Sequence, residues 1–298
     1  MKYGISIVGA GRIGRALGRR LREKGWKIHG VVTTSVATSR RAVRSIGGGH
    51  ALASITSRIL SAKLILIAVP ESAIDRVVSD LQSLGSTSLE GKVVLYTSGV
   101  LSSDVLLPLR AFGAAVGTIH PLQTFAAVGT PALDGRLFVL EGDGAALRVA
   151  RLLTRTLGGH VAQLNSSDKP LYHAAAVLAC GHVLAVTEAA IQVLTSLGMK
   201  RREALKALLP LTRQVLENLE RVGPRAAWTG PLARGDYEVI EKHQKALKAA
   251  SSEALSAYRA LNHLAARVLA RNPEATLRCL EEIEPNSKTQ LKVKGVSA

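Results

Sequence analysis

The chain has 298 residues, is 47% hydrophobic but only 3% aromatic, and carries 39 Lys and Arg against 22 Asp and Glu, a formal charge of +17. Such a length suits about two domains, and a core this poor in aromatics must be built from Ala, Val, Leu and Ile. The basic residues are scattered over predicted helix faces without interleaved aromatics, which argues against a nucleic-acid platform, and no uninterrupted apolar run reaches the ~18–20 residues of a membrane span.

An apolar strand predicted over residues 3–8 stops at Gly9-Ala10-Gly11-Arg12-Ile13-Gly14, and a helical pattern starts at once and runs to residue 24. This is G-x-G-x-x-G between a strand and a helix. Gly9 permits a tight turn, Gly11 lets backbone approach a pyrophosphate, and Gly14 lets helix and strand pack closely. Free N–H groups at the helix start favour the anion. A second strand is predicted over 27–33. No Asp or Glu occurs from residue 24 through 70, and Thr34, Ser35, Arg40 and Arg41 crowd the end of that strand. A carboxylate there would hold a ribose 2′-OH, whereas hydroxyls and guanidinium groups suit a 2′-phosphate. NADP(H) is therefore the expected cofactor. The other reading of the arginines, a solvated helix face, does not account for the missing carboxylate.

Residues 63–69 read as a fully buried strand, apolar without alternation, which places Val69 and Pro70 at the cofactor cleft. A helix over 72–84, a strand over 92–96 and the turn Thr97-Ser98-Gly99 follow. After a helix over 102–110, a strand over 115–119 delivers His120-Pro121 into a loop on the ligand side. His120 is the expected acid/base, because imidazole titrates in the right range, and Ser98 is expected to orient substrate. Asp134–Leu140 reads as a loop and short strand, 144–157 as a helix and 160–164 as a last strand. The expected class is α/β: an N-terminal doubly wound sheet over 1–165 and an all-α domain over 166–298.

From residue 168 every periodic segment reads as helix. Residues 169–197 form a long Ala-rich apolar helix, expected to pack on another helix or subunit. Its first turns carry Lys169 and His173, four apart on one face. Lys169 could hold an acidic substrate and His173 serve as acid; a solvated Lys and a structural His are the plain alternative. Helices are also read over 201–221, through His243 to 250, and over 253–270. The rigid Gly- and Pro-rich loop 228–236 offers Arg234 as a bidentate partner for a substrate carboxylate. Asp236 would orient Arg234 or His243, or cap the next helix. The basic tail beyond Pro285 is expected to be mobile. The only cysteines, Cys180 and Cys279, have no metal-ligand spacing and fit a reducing compartment. With no signal-peptide pattern at the start, a cytoplasmic protein is expected.

Together Gly9–Gly14, the Ile67-Ala68-Val69-Pro70 strand end, Thr97-Ser98-Gly99, Gly117–Phe125, Asp168–Ala176 and Thr229–Asp236 resemble the Rossmann-like oxidoreductases with a helical C-terminal domain of unknown function. That group lies in the 6-phosphogluconate dehydrogenase-like superfamily, with ketopantoate reductase, pyrroline-5-carboxylate reductase and prephenate dehydrogenase as relatives. The resemblance implies a Rossmann-type N-terminal domain, NADP-dependent hydride transfer to or from a small carboxylate-bearing carbonyl or imine, and a homodimer through the helical domain. It also implies that Ser98 and His120 occupy positions where prephenate dehydrogenases carry a Ser and a catalytic His. Where the group runs Ser-Asn-Tyr after Ala179, this chain has Cys180-Gly181-His182. That replacement motivates a second reading, a non-catalytic NADP(H)-binding protein. A deazaflavin enzyme would share the glycine loop.

Overall fold

The structure, a computed structural model, describes residues 4–85 and 88–284. Tyr3, the expected start of the first strand, and the basic tail beyond Pro285 lie outside the described residues. The chain divides into two compact units, Met1–Cys180 and Gly181–Ala298.

The first unit is built on one sheet: β1 Gly4–Val8, β2 Lys27–Val32, β3 His50–Leu52, β4 Leu64–Ile67, β5 Val93–Tyr96, β6 Ala115–Pro121, β7 Leu137–Gly142 and β8 His160–Gln163. Their order is β3-β2-β1-β4-β5-β6-β7-β8. Neighbours are parallel except β6 and β7. The central strands lack polar alternation because both faces are covered. Successive residues of β4 show this directly. Leu64 and Leu66 join a core with Leu17 and Leu21 of α1 (Arg12–Glu23), Ile46 of α2 (Val36–Ile46) and Leu153 of α4 (Gly144–Thr156). Ile65 and Ile67 join the opposite core with Val77 and Leu81 of α3 (Ile74–Gln82) and Leu106 and Leu109. The doubly wound arrangement is thus the one the buried strands require.

Three local readings change. The short edge strand β3 carries too little pattern to be seen in the sequence. The helix expected over 102–110 is a 3₁₀ helix, Ser103–Phe112, with Pro108 inside it; proline has no N–H to give an α-helical ladder. Strand β6 continues through Pro121, so His120 lies within a strand opposite Val139 of β7 and not in a loop.

The boundary expected at 165/166 falls before α5 (Lys169–Val177), whereas α5 counts with the first unit. The tie is Lys169, which is 0% exposed; its Nζ donates to Ser98 O at 3.0 Å and to Thr118 Oγ1 at 2.8 Å. After α5 comes one π-helical turn, Leu178–His182, at the Cys180-Gly181-His182 replacement.

The second unit contains α6 Val183–Ser196, α7 Arg201–Ala227, α8 Pro231–Arg234, α9 Tyr237–Ala250, α10 Ser252–Leu269 and α11 Pro273–Ile283, the last unforeseen in the sequence. Gly223, at φ +78°, breaks the helical path of α7. The buried cluster of this unit is small: Leu232, Ile240, Ala266 and Leu280. Large apolar side chains such as Leu184, Leu211 and Val268 stay at least 60% exposed.

The helical stretch Ser166–Ser196 has 31 residues and a window of mean hydropathy 1.8, long and apolar enough to cross a membrane by length and composition alone. Alanines and valines, not an unbroken run of large apolar residues, give it that mean.

Candidate active site

The glycine turn forms as its residues require. Gly9 sits at φ +87°, and a Cβ there would lie 2.5 Å from Ala68 O. A Cβ on Gly14 would collide with the Gly9 carbonyl oxygen, so β1 and α1 approach closely only with glycine. Gly11 has open space above it and caps α1 without a side-chain bond, leaving the first N–H groups of the helix free. Two cavities meet at this turn. One, of about 490 Å³, is lined by Gly9, Ala10, Thr33, Thr34, Thr38, Val69, Pro70 and Arg76 among others. The other, of about 480 Å³, is lined by Gly11, Arg12, Ile13, Val69, Pro70, Glu71, Ser98, Gly99, His120 and His173 among others.

The second cavity collects the chemistry. Strand β6 presents His120, and its Nδ1 is 2.7 Å from Tyr172 Oη on α5. The His120 and His173 rings stand edge to face with centroids 5.8 Å apart. Gly99 makes room for both: a Cβ there would be 2.6 Å from His173 Cδ2 and 2.9 Å from His120 Nε2. Gly99→Ala is accordingly expected to push the rings apart and lower kcat about 10-fold, since small misplacements of reacting groups are costly. NADPH affinity, read by fluorescence titration, should not change.

The Ser98 hydroxyl is fully engaged. It donates to Glu71 Oε1 at 3.2 Å and accepts from Val100 N at 3.2 Å and Leu101 N at 2.9 Å. Beneath it, Thr118 Oγ1 takes the Lys169 bond and donates to Glu141 Oε2 at 3.3 Å; Glu141 also accepts from Ser103 N at 2.7 Å and Ser103 Oγ at 2.6 Å. Lys169 therefore does not face the cavity and is not available to an acidic substrate, because its ammonium is enclosed by these partners.

Burial, with the nearby positive charges of His173 and Lys169, pushes His120 down to about 4. Burial pushes the Tyr172 phenol up to about 12. His120 is therefore a neutral imidazole near pH 7, and the expectation of an imidazole titrating in the neutral range is corrected: its charged form is too poorly solvated here. Lys169 is lowered to about 8 by burial, against the opposing pull of Glu141.

Residues 1–121 match the Rossmann-like domain family. Residues 136–265 match a domain of unknown function, DUF2520. Together these two matches span most of the chain. No curated protein matches the sequence. Among solved structures, a candidate NADP oxidoreductase from Bacteroides fragilis is 21% identical; the match covers 87% of this chain and 96% of that one, with a TM-score of 0.69. A reductive aminase from Aspergillus terreus in complex with NADPH and ethyl-5-oxohexanoate is 19% identical over 90% of this chain and 94% of that one, TM-score 0.65. An imine reductase from a Pseudomonas species is 17% identical over 94% and 100%, TM-score 0.63. At these identities the likeness is one of fold.

In the Rossmann-like domain, Gly9, Ala10, Gly11, Arg12, Ile13, Thr34, Val69 and Pro70 line the two cavities. Ser35 instead caps α2, accepting from Thr38 N at 3.2 Å. Arg40 and Arg41 are exposed and do not line either cavity, although Arg41 Nη2 donates at 3.1 Å to Thr38 Oγ1, which lines the first. The guanidinium that does line the first cavity is Arg76 of α3, a residue whose sequence context gives no sign of it. Glu71 and Tyr172 were likewise unmarked, although Glu71 follows Pro70 at a strand end and Tyr172 precedes His173.

In the DUF2520 domain, Arg234 and Asp236 form an exposed ion pair at 2.9 Å. Asp236 makes no side-chain cap on α9. His243 turns to Tyr258 Oη, with Nδ1 at 3.0 Å. These residues belong to the second compact unit, and His120, Ser98, Lys169 and His173 to the first.

Proposed function

We propose that the protein is an NADPH-dependent oxidoreductase acting on a small carboxylate-bearing carbonyl or imine. The observation that carries the reading is the second cavity, which joins the free helix start at Gly11–Ile13 to His120 backed by Tyr172. The residues fit the cofactor: Gly11 leaves open space, Gly9–Gly14 holds the turn, and Thr33, Thr34, Thr38 and Arg76 offer hydroxyls and a guanidinium for a ribose phosphate. NADPH, when bound, supplies a hydride.

The protein's own part is a hydrogen-bond donor aimed at the developing charge. In the proposed arrangement the Tyr172 hydroxyl, 2.7 Å from Nδ1, donates to it, so that the neutral His120 carries its proton on Nε2, toward Gly99 and the cavity. That N–H donates a hydrogen bond to the oxygen or nitrogen on which electrons accumulate, the role of a neutral imidazole electrophile, and solvent supplies the proton that completes the alcohol or amine. Ser98, held by Glu71, Val100 and Leu101, keeps the floor of the cavity fixed. An anionic substrate suits the basic chain.

Fluorescence titration with NADPH, followed by a screen of 2-oxo acids, including ketopantoate, and of cyclic imines, tests the reading. Saturable NADPH binding with turnover of one class is expected. Failure to bind NADPH below about millimolar sinks the cofactor assignment. Binding without turnover on any acid or imine favours the non-catalytic reading that the Cys180-Gly181-His182 turn motivates.

We also propose a homodimer through the helical domain. The exposed apolar residues of α6, α7 and α10 are too many for a unit whose own core is so small. Size-exclusion chromatography with light scattering should give twice the 31.5 kDa chain mass; a monomer at micromolar concentration overturns the proposal.

A further inference from the structure

A third groove, of about 280 Å³, runs along the outer face of α1 and belongs to neither cavity described above, although Arg12 lines both it and the cavity with His120. Arg12, Arg15, Arg19 and Arg20 form one wall, and Ala126, Ala127, Gly129 and Thr130 form the other. Arg20 fastens the walls together: its Nη2 donates to Thr130 O at 2.8 Å and its Nε to Pro131 O at 3.2 Å. The groove is thus held by fixed bonds and not by mobile side chains alone.

The charge is unbalanced. Glu23 is the carboxylate that pairs here, one oxygen with Arg19 at 3.0 Å and the other with Arg20 at 2.9 Å. Among the described residues, Arg12 and Arg15 make no ion pair. Arg15 Nε donates to Gly11 O at 3.2 Å, leaving its terminal nitrogens free. No Asp or Glu lines the groove.

For helix stability alone this arrangement is poor. Arg12, Arg15 and Arg19 follow one another at spacings of three and four, where like charges repel. Arg12 and Arg15 lie in the first turn of α1, which holds no acidic residue, so these cations sit at the positive end of the helix dipole. Violations of local rules that persist in a folded chain point to function. A bound anion offsets both repulsions and meets guanidinium forks suited to paired oxygens.

From this we infer that the α1 groove is a second anion site, separate from the glycine-turn cradle, that takes a small multiply charged anion bearing phosphate or carboxylate groups. Its place beside Arg12 suits an anionic effector or the charged end of an extended substrate. The inference does not depend on the proposed reaction, since it concerns binding only.

The test is isothermal titration calorimetry on the full chain at fixed ionic strength, with pyrophosphate and, separately, citrate, each with and without saturating NADPH. Arg12 stays intact because it also lines the other cavity. One site for at least one of the anions is expected, retained under NADPH and weakened at least 10-fold by Arg15→Ala and by Arg19→Ala. Arg148→Ala, an exposed arginine on α4, should leave it unchanged. Pyrophosphate favoured over citrate would assign a phosphate ligand, and the reverse a polycarboxylate. Loss of the signal under NADPH would mean that the anion had occupied the cofactor cradle, which overturns the site. Equal binding in all variants, or none in the parent, also overturns it. Thermal melts of each variant check folding, and NADPH titration of Arg19→Ala should match the parent.

Discussion

His120→Ala lowers kcat by about 10²–10³-fold, the range for loss of a hydrogen-bond donor aimed at developing charge, while NADPH binds as before. The side chain lines the cavity but belongs to neither the glycine turn nor the first cavity, so the loss should appear in kcat and not in cofactor affinity. Tyr172→Phe should cost less, about 10-fold, because it removes the bond that fixes the tautomer and leaves the imidazole in place. Steady-state kinetics with whichever substrate the screen finds will read both. Turnover of His120→Ala at the parent rate would remove His120 from the chemistry.

The same residue predicts an acid response. Folded His120 takes its proton at about pH 4 and an unfolded chain near 6.5. Between those values the unfolded chain binds the extra proton, so stability falls as pH drops from about 6.5 to 4, and the loss stops growing below that. Turnover should show no limb near 6.5, since the neutral form is the working one. Denaturant melts from pH 4 to 7 check this: the parent should lose more than His120→Asn over that window.

Lys169→Met destabilises the protein by about 3 kcal/mol, at the lower end of what breaking a buried ionic network costs. Methionine fills similar space, so the loss is of bonds and charge and not of volume. Ser98 O loses its donor, Thr118 Oγ1 loses one partner, and the Glu141 carboxylate loses the nearby charge while keeping Ser103. Relief from burying an ammonium offsets part of this, which is why the lower end is expected. The melting temperature should fall on the order of 10 °C. Adding Glu141→Gln should cost less in the Lys169→Met background than alone, because the two charges face each other. Additive losses, or a loss under about 1 kcal/mol, would show that Lys169 is not the tie between α5 and the sheet.

The α/β class and most strand positions were legible in the sequence, because strands covered on both faces must be apolar without alternation and each glycine of Gly9–Gly14 is forced by sterics. Strand ends were legible too, and with them Val69, Pro70, Ser98 and His120, since parallel strands point their ends to one side. Side-chain direction was not. Lys169 and His173 stand four apart on one helix, yet one closes a buried network and the other lines the cavity, a difference set by what packs on that helix. Arg40 and Arg41 sit where a phosphate partner is expected, and only the structure adds that Arg41 bonds the cavity-lining Thr38 and that Arg76 reaches the same cavity from a distant segment.

Sequence by itself determined the doubly wound sheet and the glycine turn, because those rest on local sterics and on the period of apolar burial. Only the tertiary structure decided that Tyr172 meets His120, that Gly99 makes room for two imidazoles, and that His120 is neutral. Those depend on distance and desolvation among residues 99 to 173, which no local pattern encodes.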